Sequence, residues 1–149
     1  MENPRVMKKI LFILLAVIGL VSCKKTPDTV TVPFETVQHY FSITTVTSTT
    51  SHKIMDQATF ESLFDAGFTM DSQQAPLDFS KEFVIAIVYP VTDVQTKLAP
   101  VSLMKENNSL VYTYSVTKGQ KMSSTSRPSL LIRVDKKYDA PLQVIEVQN

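Results

Sequence analysis

The 149-residue chain sets 15 basic side chains against 14 acidic ones, a formal net charge of +1 at pH 7. That balance argues against a nucleic-acid partner, whose binders carry clustered basic residues. One cysteine and three glycines exclude an internal disulfide and a glycine-rich phosphate cradle.

Met7-Lys8-Lys9 forms a short basic start, and the twelve residues Ile10 to Val21 carry no charge. A membrane-spanning helix needs about 20 apolar residues, so this run is too short to be one. It matches the core of a signal peptide, about 7–15 apolar residues behind a positive leader. The run closes on Leu20-Val21-Ser22-Cys23. That ending resembles the bacterial lipobox: a leucine three positions before a cysteine, with a small residue between. The resemblance implies cleavage before Cys23, a diacylglycerol on its sulfur and an acylated new amino terminus. Residues 1–22 are then a lipoprotein signal peptide, and Met7 is the expected start. Removing Arg5, Lys8, Lys9 and Glu2 leaves 12 basic and 13 acidic residues, a formal charge of −1. Lys24, not Asp, follows Cys23, so the inner-membrane retention signal of enteric bacteria is missing and the outer membrane is the expected address.

Residues 23–34 read as the lipidated cysteine and a flexible tether, polar and interrupted by Pro27 and Pro33. Lys24 and Lys25 can add about 1 kcal/mol each at an anionic surface. Residues 35–149 read as a single domain.

Thr36 to Val46 has strand alternation, with Val37, His39, Phe41 and Ile43 on the expected inner face. A helix is expected from Asp56, a good N-cap, with Met55 and Phe60 as a hydrophobic staple. Phe60, Leu63 and Phe64 share one helical face, and Gly67 is the expected stop. Phe68 to Ser80 reads as a long irregular connection. Phe83 to Tyr89 is unbroken apolar sequence ended by Pro90. It is too short for a typical helix and rich in β-branched residues, so it reads as a central strand covered on both faces.

Leu98 to Glu106 and Leu110 to Lys118 read as a hairpin turning at Asn107-Asn108, because asparagine tolerates a left-handed backbone. Pro100 places the first strand at an edge. Thr117 to Pro128 reads as a polar loop, and its Lys118, Gly119, Lys121 and Arg127 are the candidate binding residues. Leu130 to Val134 and Leu142 to Val147 are two late strands. The expected fold is α+β: a mainly antiparallel sheet of about six strands with one short helix packed on it.

The run Pro76-Leu77-Asp78-Phe79-Ser80-Lys81, then Phe83 to Tyr89, then Pro128 before Leu130-Leu131-Ile132, resembles the C-terminal domain of PrcB-like protease-complex subunits. The resemblance implies a non-catalytic lipoprotein that binds and stabilises a partner, a protease among the candidates. No nucleophile elbow is present. His39 and His52 are the only histidines. His39 is expected in the core face of its strand, and His52 in a polar turn. His52 and Asp56 straddle a helix start, so no metal site is expected, and no cofactor. The expectation is a lipid-anchored envelope protein acting as a binding or accessory subunit. The alternatives are an inhibitor of secreted proteases, or an enzyme with a carboxylate site among Asp135, Asp139 and Glu146.

Overall fold

The computed structural model describes residues 28–67 and 76–148. Cys23, the signal segment and most of the Phe68–Ser80 connection lie outside the described residues.

Among the described residues ten strands form three sheets, against the six or so expected from sequence. The centre is one long bent ribbon. Strand β6 (Glu82–Val88) pairs antiparallel with β9 (Ser129–Asp135). The Tyr89 N–H donates to the Pro128 carbonyl, and pairing resumes from Thr92 opposite Ser126. There β7 (Thr92–Glu106) and β8 (Ser109–Ser126) run out to the turn at Asn107-Asn108. Asn107 has φ of 54°, the left-handed backbone that favours asparagine in a two-residue hairpin loop.

Each half of the ribbon gains outer strands. The first sheet has the order β1 (Thr29–Thr31), β7, β8, β10 (Leu142–Gln148). The second has the order β2 (Glu35–Val37), β9, β6, β4 (Thr50–Ile54). Most pairs are antiparallel, but β10 lies parallel to β8. The short 3₁₀ turn Lys136–Tyr138 lies in the connection from β9 to β10, so the chain crosses from one sheet to the other.

Between the two sheets lies the larger core. Phe83, Ile85 and Ile87 of β6 meet Leu110, Tyr112, Tyr114 and Val116 of β8. The opposite face of β6 (Val84, Ala86 and Val88) packs on Phe60, Phe64 and Ile54. Every residue from Phe83 to Val88 is fully buried, which is why this strand has no polar alternation. A third layer thus covers the second sheet: helix α1 (Gln57–Leu63) and the small sheet of β3 (Tyr40–Ser42) with β5 (Phe64–Ala66).

Several expectations are corrected. The strand expected over Thr36–Val46 is broken at His39, whose φ is 65°. The break shifts the alternation by one residue, which exchanges the two faces. Tyr40 and Ser42 therefore turn inward, while His39, Phe41 and Ile43 are exposed. The helix keeps its N-cap, because the Asp56 carboxylate accepts from the Thr59 N–H at 2.8 Å. It ends at Leu63, however, and Phe64 goes extended to pair with β3. Met55 packs in the larger core, and Phe60 in the other. Gly67 does not stop the helix. It lets two backbones approach, since an added Cβ would sit 3.2 Å from the His39 carbonyl oxygen. The supposed tether also folds in part: β1 pairs with β7, and Val32 is buried in the larger core. Thr29-Val30-Thr31-Val32 is a short β-branched alternation, too brief to stand out among polar neighbours.

One core group is mismatched. The Tyr112 hydroxyl is buried with no hydrogen-bond partner among the described residues, and burial raises its pKa. An unpaired buried hydroxyl costs about 1–3 kcal/mol. Tyr112→Phe is expected to raise stability by about 1 kcal/mol, read as a higher urea midpoint with unchanged slope. A loss of stability would mean that the hydroxyl has a partner.

Candidate functional site

The four residues singled out from sequence do not form a loop. Thr117 to Ser126 is the far half of β8, paired with β7 through register shifts. Between the Lys121–Val94 and Ser126–Thr92 pairs, β8 has four intervening residues and β7 one. The excess on β8 makes this stretch of ribbon bulged. Lys118 and Lys121 are exposed, and Lys121 reaches Asp93 at 3.1 Å. Gly119 faces Gln95. Arg127 is drawn elsewhere: its guanidinium donates to the Ser42 carbonyl at 2.8 Å and tethers the segment after β3. The polar character expected of this stretch holds, but its shape is a ribbon, and only its two lysines face solvent as charges.

A different feature among the described residues is a cleft of about 550 Å³ at one end of the second sheet. Pro33, Phe34 and Glu35 form one wall. Asp78, Lys81 and Glu82, at the entrance to β6, lie with Arg133 and Asp135 of β9 along the rest. Register explains the grouping: Glu35 and Val84 both sit beside Arg133, and Glu82 sits beside Asp135. Arg133 is the hub. Its guanidinium binds Glu35 through Nε at 2.9 Å and through Nη2, and approaches Glu82 at 4.0 Å. The Glu35 contact raises the Arg133 pKa.

Asp78 organises the entrance to β6. Its carboxylate accepts from the Ser80 hydroxyl and N–H and pairs with Lys81 at 2.9 Å. Its backbone carbonyl accepts from the N–H groups of Lys81 and Glu82. The Ser80 hydroxyl and the Lys81 ammonium bring its pKa from 3.8 to about 2. Asp135 is lowered by the Lys137 N–H, which it caps. Both acids are ionised at neutral pH and neither is a proton donor there. The cleft is a mixed-charge surface whose cations and anions are already paired.

These shifts, with the like shift of Asp56 at its helix cap, contribute to the acid limb of stability. A carboxylate whose folded pKa lies below its unfolded value stabilises the fold above the unfolded value. That stabilisation is lost as pH falls toward the folded one. The chain is expected to lose stability between about pH 4 and pH 2, and Asp78→Asn to flatten that loss. Thermal melts across this range for both chains measure it. Identical pH profiles would remove Asp78 from the account.

The other late acids are engaged separately. Asp139 pairs with Lys53 at 2.7 Å, and Glu146 accepts from the Tyr114 hydroxyl at 2.6 Å. With Asp135 capping the 3₁₀ turn, the three form no converging pair. Among the described residues no group of three or more His, Cys, Asp or Glu could hold a metal ion. No helix among them is long and apolar enough to cross a membrane.

Sequence reading missed this cleft because Glu35 and Arg133 are 98 positions apart and meet only through the β2–β9 register. One signal was present: an arginine inside the apolar run Leu130-Leu131-Ile132-Arg133-Val134. No family model, curated protein or solved structure matches this chain.

Proposed function

We propose that this chain is a lipid-anchored protein of the bacterial envelope that binds a protein partner and performs no catalysis of its own. The observation that carries the reading is Leu20-Val21-Ser22-Cys23 at the end of a twelve-residue uncharged run. Such a segment supplies an acylated cysteine, and the folded part follows within a few residues of it. The paired charges of the Glu35–Arg133 cleft suit exchange of ion pairs with a protein surface. The partner class implied by the Pro76–Lys81 and Phe83–Tyr89 resemblance is an envelope protease complex, which this chain would stabilise at the outer membrane.

Affinity capture of the full chain from detergent-solubilised envelopes tests the reading. A discrete partner is expected, and Arg133→Ala, which unpairs Glu35, is expected to weaken its recovery. Capture of nothing above background in several detergents overturns the binding role. Inhibition of a secreted protease by the isolated chain would replace it with the inhibitor reading.

A further inference from the structure

Sheet edges expose unpaired N–H and C=O groups, and folded proteins protect them with short strands, charges, proline or bulges. Among the described residues the outermost strands are β1 and β10 in the first sheet, β2 and β4 in the second, and both strands of the small sheet, β3 and β5. Residues 92–102 of β7 and 117–126 of β8 also lie beyond the reach of β1 and β10. β1, β2, β3 and β5 are three residues each, and the uncovered stretches of β7 and β8 have register shifts and carry Lys97, Lys118 and Lys121. β4 carries His52 and Lys53, and Lys53 crosses to Asp139 and to the Ala140 carbonyl, at 2.7 and 3.0 Å. β10 has only one of these devices, the charge of Glu146. It is seven residues long, Leu142-Gln143-Val144-Ile145-Glu146-Val147-Gln148, with no proline, lysine or arginine. Its pairing with β8 runs without a register shift.

The ladder fixes which groups are free. In a parallel pair, alternate residues turn both backbone groups to the same neighbour. Leu110 donates its N–H to the Pro141 carbonyl. Gln143, Ile145 and Val147 share the parity of Pro141 and also face β8. The N–H and C=O groups of Leu142, Val144, Glu146 and Gln148 therefore point away from the sheet.

We propose that two copies of this chain pair through β10, antiparallel about a two-fold axis at Ile145. Full overlap of the seven residues sets Val144 opposite Glu146 of the copy, and Leu142 opposite Gln148. These are the residues whose backbone groups are free, so every outward donor and acceptor meets its counterpart. The strand's one charge, Glu146, then faces a valine. A slip of two residues would set Glu146 against itself, which like-charge repulsion disfavours. The side chains agree. Ile145 and Val101 are 47% and 54% exposed on the outer face of the first sheet. The cross-strand neighbours there (Ser102 and Thr113 beside Ile145, Met104 and Val111 beside Gln143) carry no charge. A two-fold interface needs a self-complementary patch, and this edge is one.

Cross-linking in the intact envelope tests the pairing. At the axis the two Ile145 residues form a non-hydrogen-bonded pair, with Cα atoms about 4.5 Å apart. That lies within disulfide reach. Full-length Ile145→Cys is expected to run mostly at twice the monomer mass on a non-reducing gel, and at monomer mass after reduction. Val101→Cys, similarly exposed but on β7, two strands away from β10, is expected to stay monomeric, as is the parent chain with Cys23 alone. Cross-linking of Ile145→Cys no greater than that of Val101→Cys overturns the proposal, as does a link to a protein of another mass. An independent readout is the mass of the unmutated chain in detergent. Twice the monomer mass, falling to the monomer with Ile145→Lys, is expected, and a monomer at all concentrations refutes the pairing.

Discussion

Cys23→Ala is expected to strip the chain of all acyl mass and to leave the leader uncut before residue 23. Mass spectrometry of the intact protein reads both changes. The size of the effect follows from acyl burial, worth about 0.8 kcal/mol per CH₂. One chain gives only marginal, reversible attachment, while several give a lasting one. What remains near the cut is Lys24 and Lys25, together worth about 2 kcal/mol at an anionic surface. That is roughly a thirtyfold preference, far below what holds a protein through washing. A chain beginning at Lys24 behind an unrelated cleavable leader is therefore expected in the soluble fraction. The unmutated chain is expected in the detergent phase. An unmodified sulfur on the mature protein, or a mature terminus other than residue 23, would end the anchored reading.

The parts of the fold that were legible in the sequence are those whose signal is local and strong. Phe83 to Tyr89 reads as a doubly covered strand because nothing polar interrupts it, and the structure buries Phe83 to Val88 completely. Leu110, Tyr112, Tyr114 and Val116 alternate with smaller or polar residues, and those four line the larger core. Asp56 was legible as a cap because an N-cap needs only its own helix. What stayed hidden depends on a distant partner. Phe64 obeys the helical spacing, but pairing with β3 takes it out of the helix. His39 fits an alternating pattern, but a single left-handed residue reverses which side chains turn inward. The parallel placement of β10 leaves no mark in its composition, because a half-covered strand alternates whichever way its neighbour runs.

The candidate site was less legible than the fold, for the same reason. Lys118, Gly119, Lys121 and Arg127 look like a loop because polarity is the only local signal. Strand pairing with β7 overrides it. Arg127 looks available, yet its guanidinium is drawn to the Ser42 carbonyl through Nη1. The cleft charges, by contrast, are scattered over β2, the start of β6 and β9, and only the register gathers them.

Phe60→Ala is expected to cause the largest loss of stability among single changes to the helical layer, about 3–5 kcal/mol. Phe60 is 2% exposed. Its ring meets Tyr40 edge-on at 5.0 Å, stacks on Phe64 at 5.5 Å and touches Phe79 at 5.8 Å. One side chain thus joins α1, β3, β5 and the segment leading into β6. The helix it belongs to has seven residues, too few to persist without tertiary contacts. Truncation leaves a cavity that three other aromatic rings cannot close without moving apart. Against a typical total of about 5–15 kcal/mol, the fall is a large fraction of the whole. Phe41→Ala, at an aromatic residue 49% exposed in the adjacent strand, is expected to cost far less, which separates packing from mere loss of a phenyl group. Amide exchange locates the damage. Protection is expected to drop first in α1, β3 and β5, while β6 and β9 keep theirs, because the sheet-to-sheet core on their other face is intact. A loss under about 1 kcal/mol for Phe60→Ala, or uniform loss of protection across both sheets, would show that the helical layer is not held by this ring.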